Sequence, residues 1–318
     1  MTDPDIVVLR QKIHGLSAAA YAETLRERLP DYDVALAKTP AEEREYLRTA
    51  RVATGFSLDA DELDAAPNLE LFACVYAGTG HLELDSFAER GVAVTNASGV
   101  HGPNIAEYAL GAILSFARGF DTAWRRKERA EWRSYQATEV HGSRVAVVGL
   151  GAIGESIVDR LEPFGVHTIG VRYSPEKGGP TDEVYGFDEI HEALADSDYV
   201  VVAAPLTETT AGLIGESALR TMPPHSVLVN VGRGPIVDTD ALVSTLQTNG
   251  LRGAALDVTD PEPLPREHPL WSFDNVLVTP HNAGHTPKYW ARRADIMARN
   301  LEHAEETGAF EELENQAV

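Results

Sequence analysis

The chain has 318 residues, enough for two domains with cores of their own. It carries 27 basic against 49 acidic residues, a formal net charge of −22, which repels nucleic acid and anionic membrane as partners and predicts stability that rises with salt, as in proteins of a salt-loaded (halophilic) cytoplasm. It shows no long apolar run, its N-terminus is acidic and polar rather than a signal peptide, and its single cysteine, Cys74, excludes an internal disulfide and a cysteine-rich metal site, so a cytoplasmic protein without a metal is expected.

In chain order, residues 5–9 read as a strand, 18–29 as a helix, 33–37 and 51–55 as strands, 59–65 as a helical stretch, and 69–76 and 92–95 as further strands. Strands alternating with helices predict a small α/β domain, with Cys74 in its core. Residues 103–119 form a long apolar helix with proline in its first turn, expected to cross from the first domain to the second. The charged, aromatic segment 124–135 reads as helix plus irregular chain packing on a neighbour. Strands follow at 145–149, 166–171, 199–203, 227–230, 253–256 and 276–278, and a last helix, 289–306, is expected to return to the first domain. The predicted organisation is a discontinuous substrate-binding domain, 1–99 with 286–318, and a dinucleotide-binding domain, 100–285.

The most informative stretch is Val-Ala-Val-Val-Gly-Leu-Gly-Ala-Ile-Gly, residues 145–154, in which a buried strand runs straight into a Gly-x-Gly-x-x-Gly turn and a helix. Gly149 suits the sharp turn, Gly151 the approach of a pyrophosphate, and Gly154 the close packing of helix on strand, with the helix N-terminus facing the phosphates. An NAD site places an acidic residue about 20 positions after the first glycine. Here Arg172 stands at the end of the next strand, followed by Tyr173 and Ser174, and a guanidinium there suits a 2′-phosphate, so NADPH is expected over NADH.

Ligands in such sheets bind beyond the carboxyl ends of the strands, where three polar residues stand out. Arg233 lies between Gly232 and Gly234, exposed as a carboxylate clamp requires. Glu262 is framed by Pro261 and Pro263, and His281 directly follows a strand in Thr-Pro-His-Asn-Ala-Gly. Taken singly, His281 reads equally as a structural histidine. Together the three suggest reduction of a 2-oxo acid by a nicotinamide: His281 handles the proton, Glu262 orients it and favours its imidazolium form, and Arg233 binds the carboxylate and polarises the carbonyl.

These residues carry a resemblance to the D-isomer-specific 2-hydroxyacid dehydrogenases, nearest its NADPH-dependent reductases. The likeness covers the loop 76–82, residues 99–107, the glycine turn 149–154, Pro205-Leu206-Thr207, and residues 230–238, 253–264 and 279–284. It implies α/β architecture of two Rossmann-like, doubly wound domains, a Rossmann domain for NAD(P) and a flavodoxin-like substrate domain, with a cleft between them. It implies Asp257 near the nicotinamide carboxamide, and Gly78 and Thr79 amides holding the substrate carboxylate, with Thr54 in the same substrate set. The cofactor set it implies is Gly149, Gly151, Ala152, Ile153 and Gly154, then Arg172, Tyr173 and Ser174, then Pro205, Thr209 and Val231, and finally Asp257, His281, Ala283 and Gly284. D stereochemistry and a homodimer joined by the cofactor domains come from the family alone.

The sequence departs from the family pattern in places. The loop Ala77-Gly78-Thr79-Gly80-His81 lacks the usual Val-Asp, and His101 and Pro103 are unusual neighbours for a cofactor. His285 also follows the last strand, but His281 is nearer to it and preferred. The nearest rival reading is a glyoxylate/hydroxypyruvate reductase. A phosphoglycerate dehydrogenase is disfavoured because no regulatory domain follows the last helix, and a formate dehydrogenase because Glu262 stands where those carry glutamine. From another class, a dinucleotide-sensing binding protein like the co-repressors of this fold would bind without turnover.

Overall fold

Short apolar runs become parallel strands when both faces are covered, and the described residues place twelve strands in two sheets. The computed structural model describes residues 3–11 and 15–318. In chain order the elements are β1 (Ile6–Val8), α1 (Ala18–Arg28), β2 (Val34–Leu36), α2 (Pro40–Leu47), β3 (Val52–Gly55), α3 (Ala60–Asp64), β4 (Leu71–Cys74), α4 (Leu84–Ala88), β5 (Ala93–Thr95), α5 (Gly102–Arg118), α6 (Phe120–Glu128), β6 (Arg144–Val148), α7 (Ala152–Leu161), β7 (His167–Val171), β8 (Glu183–Tyr185), α8 (Ile190–Leu194), β9 (Tyr199–Val202), α9 (Glu216–Thr221), β10 (Val227–Asn230), α10 (Thr239–Gln247), β11 (Gly253–Leu256), β12 (Val276–Val278) and α11 (Tyr289–Thr307).

The chain divides into two compact units, residues 1–100 with 286–318 and residues 101–285. In the first, the five-stranded sheet has the order β2-β1-β3-β4-β5, all parallel, which is the flavodoxin-like arrangement. Tyr21, Ala22 and Leu25 of α1 pack with Trp290, Ala294, Met297 and Leu301 of α11 over one face, and Leu47, Leu63 and Phe87 cover the other. Cys74 is buried there, and burial pushes its thiol up.

In the second unit the seven-stranded sheet has the order β12-β11-β10-β9-β6-β7-β8, again parallel. Counted from β6, this is the doubly wound order 3-2-1-4-5-6 with one strand added, and the direction of winding reverses between β6 and β9. The long helix α5 was expected to pass from one domain to the other. It lies wholly in the second unit, because Ile105, Ala109, Ala112, Ile113 and Phe116 are buried with Val145, Val147, Ile157 and Leu161. Beyond the expected strands the structure adds β8, a half-buried edge strand, and the short helices α2, α4, α8, α9 and α10. No helix among the described residues is long and apolar enough to cross a membrane, and no group of three or more His, Cys, Asp or Glu among them is placed to hold a metal ion.

Candidate active site

Where β6 ends, the chain turns at once into α7. Gly149 takes φ +104°, and a Cβ on it would lie 2.5 Å from the backbone of Ala204, just past the neighbouring β9. A Cβ on Gly154 would lie 1.9 Å from Gly149 O, so only hydrogen lets the helix sit on the turn. Gly151 is different, because its Cβ would face open space, and as N-cap of α7 it offers no side chain to the first-turn N–H groups. Those donors and the positive end of the helix remain available to a phosphate. Ala152 and Ile153 supply main-chain N–H groups to this turn, while the Ile153 side chain packs toward the core.

A cavity of about 680 Å³ opens over the turn. Gly149, Leu150 and Gly151 form one wall, Arg172, Tyr173 and Ser174 a second, and Pro205, Thr207 and Thr209 a third. The Arg172 guanidinium donates from Nη1 to Gly178 O at 2.6 Å, which fixes it to the turn that follows β7. Lys177, in that same turn, also lines the cavity and was not singled out by sequence. The third wall is braced by Thr210, whose Oγ1 donates to Pro205 O at 2.6 Å. An open glycine, an uncapped helix and two cations fit a phosphorylated nucleotide.

Parallel strands put their carboxyl ends on one edge, so β10, β11 and β12, paired side by side, bring the chain segments after them together. After β10, Val231 and Gly232 are buried and Arg233 is exposed, its Nη1 donating to Gly232 O at 2.7 Å. Asn230 Nδ2 holds Arg233 O at 3.1 Å, and a Cβ on Gly234 would lie 1.9 Å from Thr259 O. After β12, His281 adopts φ +51°, a left-handed conformation that costs a non-glycine residue about 1–3 kcal/mol unless its surroundings impose it. Its Nδ1 meets Glu262 Oε1 at 2.6 Å. A carboxylate only accepts, so Nδ1 carries the hydrogen and Nε2 is left to exchange a proton. No hydrogen bond among the described residues joins Arg233 to this pair.

What imposes the backbone at His281 is Asp257, which is 2 % exposed. Its Oδ1 accepts from Asn282 N at 2.8 Å and Thr279 Oγ1 at 2.6 Å, its Oδ2 from Ala283 N at 2.9 Å, and its carbonyl from His281 N at 2.8 Å. Asp257, which the resemblance places near the nicotinamide carboxamide, clamps with its carboxylate the loop that carries the histidine. Because the Thr279 proton goes to Asp257, the Tyr108 hydroxyl, 2.7 Å away, donates to Thr279 Oγ1. Burial pushes Tyr108 up to about 12, so it keeps that proton at neutral pH. On the same helix, Asn104 Nδ2 donates to Ala283 O at 2.7 Å. Tyr108 and Asn104 were missed by sequence because their partners lie far along the chain. Gly284 lies beside His101: a Cβ on it would lie 3.6 Å from His101 Nδ1.

The D-isomer specific 2-hydroxyacid dehydrogenase NAD binding domain matches residues 110–283 of this chain. The chain belongs to that family. It is an NAD(P)-dependent oxidoreductase acting on 2-hydroxy acids. Among curated relatives, a glyoxylate reductase of Thermofilum pendens is 38% identical over 254 residues, 77% of this chain and 74% of that protein. Among solved structures, a D-isomer specific 2-hydroxyacid dehydrogenase from Xanthobacter autotrophicus Py2, in complex with NADPH and MES, is 27% identical with a TM-score of 0.77, covering 100% of this chain and 98% of that one. A family member from Aeromonas salmonicida is also 27% identical, with a TM-score of 0.76, covering 100% and 99%.

In this dehydrogenase the remaining expected site residues lie in the first unit. Gly78 is exposed with open space about it, and Thr79 is half-buried in the same loop beyond β4. Thr54 was expected to touch substrate, and the structure corrects this: it is 0 % exposed and its hydroxyl donates to Ala73 O at 2.7 Å, inside the sheet. Nearby, His81 Nε2 donates to Phe56 O at 2.8 Å, and the two rings stack at 4.2 Å, which ties the loop 77–80 back to the end of β3.

Proposed function

We propose that this dehydrogenase reduces small 2-oxo acids to D-2-hydroxy acids and takes NADPH in preference to NADH. The observation that carries this reading is the 2.6 Å contact between His281 Nδ1 and Glu262 Oε1, with Nε2 free. Glu262 keeps the ring in one orientation and tautomer and stabilises it when doubly protonated, so Nε2 gives its proton to the nascent alkoxide. Arg233, exposed between glycines, binds the substrate carboxylate and stabilises charge on the carbonyl oxygen. When bound, reduced nicotinamide supplies the hydride.

Gly149, Gly151 and the first turn of α7 would hold the pyrophosphate, and Pro205 and Thr209 the opposite wall. Arg172, with Ser174 and Lys177 beside the same cavity, would take the 2′-phosphate. The NADPH bound to the Xanthobacter relative supports that assignment. The exposed Phe120, Trp124, Trp132 and Tyr135 on the second unit support a homodimer through the cofactor units. A second reading, a glyoxylate/hydroxypyruvate reductase, is favoured by the name of the Thermofilum relative.

The test is a panel of 2-oxo acids with linear, branched and hydroxylated tails, run at high salt with both nucleotides. His281→Ala is expected to lose about 10²–10⁴ in kcat while still binding NADPH. Binding of NADPH with no turnover of any acid by the wild-type protein overturns the reading and favours a nucleotide sensor.

A further inference from the structure

β10 ends on a polar side chain in the middle of an apolar run. It reads Val-Leu-Val-Asn with Val231 after it, and Asn230 is 1 % exposed. A buried amide costs free energy unless both of its ends are hydrogen-bonded. Packing alone gives no reason for one here, since leucine has nearly the same bulk and Val227, Leu228 and Val229 are all core. The bonds supply the reason. Oδ1 accepts from Gly232 N at 3.1 Å, and Nδ2 donates to Arg233 O at 3.1 Å. Both partners lie in the loop that carries Arg233.

The two bonds bracket one peptide group. Gly232 N and Arg233 O flank the peptide between Gly232 and Arg233, and the carbonyl of that peptide accepts from Arg233 Nη1 at 2.7 Å. A Cβ on Gly232 would lie 2.8 Å from Ala204 O, so the bracketed segment is pressed against the chain just past β9. Arg233 leaves it in an extended conformation, φ −141° and ψ 145°, with its side chain in solvent. An exposed arginine samples many rotamers, and every rotamer that misses a carboxylate lowers the fraction of protein able to bind one. The Gly232 carbonyl gives the guanidinium a fixed acceptor, and the Asn230 amide keeps that carbonyl from turning. Asp257, just past the neighbouring β11, treats the His281 loop in the same way.

We propose, on the reading of Arg233 as the carboxylate binder, that Asn230 is its positioning residue. The amide holds the Gly232 peptide so that the guanidinium stands pre-set for the substrate. At 1 % exposure Asn230 reaches no ligand itself and acts through Arg233.

The test is a double-mutant cycle in the full chain, run with the best 2-oxo acid of the panel. Asn230→Leu keeps the bulk and removes both bonds. It should lower kcat/KM for the acid about tenfold or more, chiefly through KM, with KM for NADPH within about twofold of wild type. In an Arg233→Ala background, where no guanidinium is left to place, the same change should lower kcat/KM by less than about twofold. An equal loss in both backgrounds marks a merely structural residue and overturns the proposal, as does unchanged kcat/KM in Asn230→Leu. If Arg233→Ala itself leaves kcat/KM for the acid unchanged, the reading of Arg233 fails and the proposal with it; a loss in Arg233→Ala with none in Asn230→Leu sinks the proposal alone. Should Asn230→Leu fail to fold, Asn230→Ser takes its place in the cycle with the same outcomes, because a serine hydroxyl can still serve Gly232 N and offers no amide to Arg233 O.

Discussion

Replacing Thr279 by valine should damage this dehydrogenase more than the loss of one hydroxyl suggests, and a second substitution should undo part of the damage. Thr279 Oγ1 donates to the Asp257 carboxylate at 2.6 Å and accepts from Tyr108 Oη at 2.7 Å. Thr279→Val removes a charge-assisted bond, about 1.5–3 kcal/mol, and leaves the buried Tyr108 hydroxyl without an acceptor, about 1–3 kcal/mol more. Tyr108→Phe alone removes one neutral bond and should cost about 1 kcal/mol. In the double variant no hydroxyl is orphaned, so it should be more stable than Thr279→Val by about 1–2 kcal/mol. Urea unfolding of the four proteins measures this, and steady-state kinetics measures its consequence. With its clamp weakened, the left-handed backbone at His281 relaxes, and kcat should fall about tenfold or more while KM for NADPH holds. Strictly additive stabilities, or unchanged kcat in Thr279→Val, would refute the argued coupling.

Arg172→Asp should lower the ratio of kcat/KM for NADPH over NADH about a hundredfold, the worth of a charge-assisted phosphate contact, and an unchanged ratio would remove the basis for NADPH preference. Gly154→Ala puts a methyl 1.9 Å from Gly149 O and should abolish nucleotide binding together with a large drop in Tm. Gly151→Ala, facing open space, should leave Tm in place and weaken NADPH binding at least tenfold; the reverse pattern in a thermal shift and nucleotide titration would contradict the assigned roles. Hydrogen bonds from Tyr185, His167 and Arg144 hold Glu183 down at about 2, against an ordinary 4.5. A depressed carboxylate stabilises the fold above its unfolded value and loses that contribution as pH falls through its folded one. Tyr185→Phe should therefore lower Tm above pH 4.5 and match the wild type near pH 2, and an equal deficit at both would exclude this origin.

The strands were legible because a strand covered on both faces is an unbroken apolar run, as at Val227–Asn230 and Gly253–Leu256. The glycine turn was legible because Gly149 and Gly154 answer separate steric demands and Gly151 leaves room for a phosphate. β8 escaped notice since Glu183–Tyr185 is half-buried and charged, and its strand geometry comes from pairing with β7. At Thr54 the sequence gives a polar residue at a strand end, but not the Ala73 carbonyl that occupies its hydroxyl. Asn104, Tyr108 and Lys177 act through neighbours brought up by folding, and Arg293 reads as an ordinary charged helix position until its burial is seen.

The second unit begins and ends at one place. Asn104, near its first residue, bonds Ala283 O at 2.7 Å, and Gly284, near its last, lies beside His101. A segment whose two ends meet can be spliced into a host chain without prying the host apart. Residues 101–285 therefore form a cassette that an engineer can lift out, circularise or exchange for a nucleotide module of different appetite.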